Sequence, residues 1–128
     1  MLDTTTPDIP TVEQTYADAP SIVSEIAWIA DQISARPLGT ELPREFWLRK
    51  LAALDRIAQR HDEPADRVES DPPAHRLLRQ DIEHDHLTGQ TVSRGRYSAG
   101  HPVWDRLGPL GYLRQEYRTW SRQTTHAN

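Results

Sequence analysis

Apolar residues recur at steps of three and four along four stretches of this chain, and the segments between them collect the prolines and glycines. In DAPSIVSEIAWIADQIS, residues 18–34, one face carries Ile22, Ile26, Ile29 and Ile33, widened by Val23, Ala27 and Ala30. The spacing predicts a helix capped by Asp18, with Pro20 in its first turn, where a missing N–H costs little, and with Pro37 and Gly39 ending it. A second helix is predicted from Pro43 to Arg60, with Glu41 and Glu45 at the positive end of its dipole and Arg56 and Arg60 at the negative end. Its stripe is Trp47, Leu51, Leu54 and Ala58, flanked by Leu48 and Ile57, while Arg49, Lys50 and Gln59 fall outside. A helix of that length does not hold in water on propensity alone, so this stripe is expected to turn inward.

HDEPADRVES, residues 61–70, has no periodicity and reads as a linker. A third, thinner amphipathic helix follows from Asp71 as cap, through Pro72 and Pro73, to a stop at Gly89; its apolar face is Ala74, Leu77, Leu78, Asp81 and Ile82. Residues 88–108 read as a second linker. The last helix carries Leu110, Leu113, Tyr117 and Trp120 as a stripe, with Arg114, Arg118 and Arg122 four apart beside it. No stretch alternates as a strand does. The fold class is therefore all-α, a small bundle of three to four helices with long loops. A single helical domain is expected over residues 19–123, with a mobile acidic tail at 1–18 and a short tail at 124–128. Trp28, Trp47, Leu51, Leu54, Leu113, Tyr117 and Trp120 are the expected core anchors, with the third helix packed more loosely than the others.

Composition narrows the chemistry. The 128 residues fit one domain, and a mean hydropathy of -0.76 leaves only an economical core. Without cysteine there is no disulfide, thiolate metal site or cysteine nucleophile. The start MLDTTTPDIP lacks the positive charge of a secretory signal, and no apolar run reaches membrane-spanning length, which reads as a cytoplasmic protein with no membrane insertion. Charge is unevenly placed: residues 1–35 hold six acids and no Lys or Arg, whereas residues 94–128 hold six Arg against Asp105 and Glu116. Such asymmetry suits internal docking of opposite ends or a charged partner.

The residue types present bear on three chemistries. Arg94, Arg96, Arg114, Arg118 and Arg122 offer contacts to a partner or to phosphates, yet the same row also fits a solvated face, and the long connections between helices do not match the short turn of a helix-turn-helix. Asp81, Glu83, His84, Asp85 and His86 invite a metal or an HD-type hydrolase, but on a helix His84 and His86 point about 200° apart and cannot share an ion. Neither G-x-S-x-G nor a phosphate-binding glycine motif occurs, so no catalytic residue and no cofactor or metal site is assigned.

The runs EFWLRKLAALDRIAQR, residues 45–60, and GYLRQEYRTW, residues 111–120, resemble segments of small proteins of Streptomyces-type actinobacteria, some carried on conjugative plasmids and integrative elements near transfer and plasmid-spread genes. The resemblance implies a non-enzymatic accessory protein of a mobile element that works by contact with another protein of a transfer apparatus. The alternative expectation is a small DNA-binding regulator using the basic last helix, and the third is a metal-dependent hydrolase at His84.

Overall fold

The chain's structure, a computed structural model, describes residues 9–60 and 72–126, and every regular element among them is a helix. α1 spans Val12–Thr15, α2 Ile22–Ser34, α3 Arg44–Arg60, α4 Pro72–Thr88 and α5 Val103–His126. The all-α architecture is as the periodicity predicts. The expected linker at 61–70 and the first eight residues of the expected tail lie outside the described residues.

α3 is the central element. Its 17 residues make a rod about 26 Å long that is covered on two sides. Against α4 and α5 it buries Leu48, Leu51 and Ala52, which meet Leu77, Leu110, Tyr112, Leu113 and Tyr117 in one core together with Ala99, Val103 and Trp104. Against α2 it sets Phe46, whose ring lies 6.3 Å from that of Trp28. The stripe expected to face inward is thus only partly inside. Leu51 is buried and Trp47 half-buried, but Leu54 is 43% exposed. The reason is positional: neighbours arrive along two other flanks of α3, and the Leu54 flank between them stays open.

The expected core around Trp28, Trp47 and Trp120 is corrected in the same way. Those three indoles are half-buried at the rim, where Arg49 stacks on Trp28 at 3.7 Å and Arg76 on Trp47 at 3.6 Å, whereas Trp104, Tyr112 and Tyr117 fill the interior. α4 is not a loose appendage, because Leu77 and Asp81 are both fully buried.

Within the tail expected to be mobile over residues 1–18, residues 9–18 are described and carry α1. Thr11 and Gln14 form a reciprocal capping box that supports the four-residue α1, and the Tyr16 ring packs 5.3 Å from Tyr117. α2 is capped by Ser21, whose hydroxyl accepts from the Ser24 N–H at 3.1 Å; Asp18, expected as the cap, pairs instead with Arg118 at 3.2 Å. The linker expected at 88–108 already turns helical at Val103, where the His101 ring nitrogen accepts the Val103 N–H at 3.0 Å. The helix breaks at Gly108, whose φ of 82° suits glycine, and Pro109 restarts it. It then runs to His126, into the expected terminal tail.

Three charged residues of α3 tie it to α2, α4 and α5. Arg44 donates to Asp81 of α4 (Nη2–Oδ2 2.8 Å) and to Glu116 of α5 (Nη2–Oε1 2.8 Å). Arg49 grips Glu25 of α2 through both Nε, at 3.0 Å, and Nη2. Asp55 accepts two bonds from Arg114 of α5, at 2.9 and 3.0 Å, and the Tyr16 hydroxyl. Glu25, Asp55, Asp81 and Glu116 are each at most 2% exposed, so each depends on its arginine to offset the loss of water. Arg49→Met alone therefore strands a buried carboxylate and is expected to lower stability by about 3 kcal/mol, whereas adding Glu25→Leu restores most of it. Urea denaturation of the two variants beside the wild type checks this; equal losses in both would show that the pair holds nothing in register.

Candidate functional site

The basic residues singled out from the sequence do not form one surface. Arg114 turns into the bundle onto Asp55, because its position on α5 borders the buried Leu110, Leu113 and Tyr117. Arg118 reaches Asp18, and Arg94 donates to Gln123 Oε1 at 3.3 Å. Arg96 lies 5.5 Å from the Tyr97 ring, and Arg122 is exposed with contacts of its own. The expected row of Arg114, Arg118 and Arg122 is thus divided between interior and rim.

The acid–histidine segment of α4 is divided too. Asp81 faces the core, while His84 is half-exposed with its Nδ1 3.4 Å from Asp85, and Asp85 accepts the Val92 N–H at 2.8 Å. No group of three or more metal-ligating side chains comes together among the described residues. Beside this segment lie two adjoining clefts of about 790 and 500 Å³ that share Arg44, His84 and Val92. Arg44 is already held by two carboxylates, so it presents little free positive charge there.

Ser93, on the wall of the larger cleft, belongs to a directed relay. It accepts the Ala99 N–H at 3.0 Å and meets the Tyr112 hydroxyl at 2.6 Å, which donates onward to Asp81 at 2.6 Å. Because Tyr112 gives its own proton to Asp81, it accepts from Ser93. Burial, then the charges of Glu116 and Asp81, hold the Tyr112 phenol well above the usual tyrosine range, so it stays a neutral acceptor and is no base for a serine nucleophile.

The surface without an internal explanation is on α2. Its inner face is led by Glu25, with Trp28, Ile29 and Gln32 half-buried, while Val23 is 77%, Ile26 52% and Ile33 53% exposed, with Ala27 and Ala30 also in solvent. Ile22, Ile26, Ile29 and Ile33 were expected to form the core-facing stripe; Ile26 and Ile33 instead face outward. The helix has turned because the Glu25–Arg49 pair, once buried, fixes which side meets α3. The continuation after α2 adds Leu38, fully exposed.

No protein-family model matches the chain, and no curated protein or solved structure is significantly similar to it. No helix among the described residues is long and apolar enough to cross a membrane.

The buried acids Glu25, Asp55 and Glu116 escaped the sequence reading as structural elements, and Asp81, placed on the apolar face of its helix, entered only as a candidate metal ligand. A signal existed: Glu116 sits between Leu113, Tyr117 and Trp120 on the predicted core stripe, and Glu25 lies between Ile22 and Ile29 at steps of three and four.

The buried phenols give a measurable consequence. Burial first, then nearby carboxylates, raises Tyr16 beside Asp55 and pushes Tyr117 near Glu25 up to about 12, as it raises Tyr112. An unfolded tyrosine ionises near pH 10, so above about that pH the native chain binds more protons than the unfolded one. The contribution of these groups is complete below that pH and is lost as pH rises through the native values. Phenolate absorbance and helical circular dichroism followed together should show these three tyrosines ionising with unfolding; full ionisation near pH 10 in an intact fold would contradict their burial.

Proposed function

We propose that this chain is a helical docking module that acts by binding another protein through the outward side of α2. One observation carries the reading: α2 buries an acid and leaves Val23, Ile26 and Ile33 in water. Full burial of such a side chain is worth about 1.5–3 kcal/mol, and contiguous exposed apolar surface of this kind marks interaction sites. Among the described residues the bundle closes without using that surface, which leaves it for a partner.

The DNA-binding alternative has less behind it, since Arg114 is engaged by Asp55 and Arg118 by Asp18. Resemblance at residues 45–60 and 111–120 suggests the setting, a contact role in a transfer apparatus of an actinobacterial mobile element, and cytoplasmic placement goes with it. Non-enzymatic action belongs to the same proposal.

The double variant Val23→Asp/Ile26→Asp should keep its thermal midpoint, because surface substitutions generally shift stability by less than about 0.5 kcal/mol. A photo-crosslinking residue at Ala30 should trap one discrete heterologous adduct in the host, lost in that variant and absent when the crosslinker sits at exposed Gln59. An adduct indifferent to the aspartates, or none at Ala30, would end this reading.

A further inference from the structure

The apolar outward surface continues from α2 onto α3. The two helices run antiparallel, with Trp28 beside Phe46, Glu25 on Arg49 and the Pro20 carbonyl accepting from Arg56 at 2.7 Å. At about 100° per residue, the flank next to this contact row carries Ile26 and Ile33 on α2, and Lys50, Leu54 and Ile57 on α3. In antiparallel right-handed helices these flanks open to one side. α5 lies on the other, where Arg49 sits between Trp28 and Trp120, at 3.7 and 5.1 Å.

The result is a shallow two-helix trough with apolar banks and Lys50 near its middle. Lys50 is the only lysine of the chain. Its ammonium lies 5.3 Å from the Trp47 ring and 5.9 Å from that of Phe46, and Arg76 covers Trp47 at the trough's edge. Arg44, Arg49, Arg114 and Arg118 each meet a carboxylate, but none among the described residues lies within ion-pair distance of Lys50 or Arg76.

We propose that this trough receives an amphipathic helix of another protein whose apolar stripe is interrupted by a carboxylate aimed at Lys50. The inference rests on the docking reading above and adds the chemistry of the occupant. A third helix laid along the groove would seat residues at three- and four-residue spacing between the ridges of α2 and α3. A second copy of the chain fits poorly, since a two-fold axis through the trough sets Lys50 against Lys50, and like charges facing across an apolar interface oppose pairing.

The test uses helical synthetic peptides of about 18 residues, long enough to hold a helix when stapled, identical except for Glu, Gln or Lys at one site in a leucine stripe. Fluorescence anisotropy with the full chain should show the Glu peptide binding about fivefold tighter than the Gln peptide, with the Lys peptide weakest. Lys50→Gln should erase the preference, Lys50→Glu should reverse it, and Ile26→Asp should weaken all three peptides. Lys50 has no ion pair to lose among the described residues, so both substitutions leave the charge pairs among those residues intact. Equal binding of the three peptides to the wild type, still lost with Ile26→Asp, would overturn the carboxylate while leaving the docking surface standing. No peptide binding beside a persistent Ala30 adduct would also overturn the occupant proposed here. A concentration-dependent dimer in sedimentation, made monomeric by Ile26→Asp, would make a second copy the occupant and overturn it.

Discussion

Four carboxylates without water hold this bundle in register. Glu25, Asp55, Asp81 and Glu116 are essentially fully buried, and an unpaired charge in such a place is far more costly than a missed apolar contact. Apolar stripes tolerate sliding and rotation, because one methyl packs nearly as well as the next. A carboxylate gripped by an arginine fork does not, since a shift of one residue breaks both bonds at once. α3 carries Arg44, Arg49 and Asp55 at three heights, so α4 and α5 are keyed to it at Arg44, α2 at Arg49 and α5 again at Asp55.

That constraint also produces the candidate interaction surface. α2 is the most apolar helix of the set, and on hydrophobicity alone its isoleucines would face α3. Pairing of Glu25 with Arg49, backed by Trp28 and Trp120 on either side of the guanidinium, sets the opposite choice. Once Glu25 is inside, Ile26 and Ile33 lie on the open flank, beside Leu54 and Lys50 of α3. The interaction that secures the helix thereby exposes the surface through which the proposed docking occurs.

The same logic dissolves the basic row of α5. Glu116 accepts the backbone N–H groups of Arg94 and Gly95, both at 2.8 Å, and Gln115 binds Tyr97 through both its amide atoms. The segment before α5 is thus clamped onto the helix so closely that a methyl at Gly95 would run into the Gln115 side chain. Arg94 is placed by this clamp and Arg114 by Asp55, each for an internal reason that spacing along one helix does not reveal.

What the sequence determined by itself was local. Three- and four-residue periodicity, with Pro43 before α3 and Gly89 after α4, was enough for the four longer helices in outline and for the fold class, because such signals act within a turn or two of chain. Only the tertiary structure decided which side of α2 and which flank of α3 went inside. Leu54 and Ile26 lie on apolar stripes yet face water, and Glu25 and Asp55 are charged yet buried. An arginine twenty-four residues from Glu25, or an aspartate fifty-nine from Arg114, changes the free energy of burying a face only when the fold brings the two together.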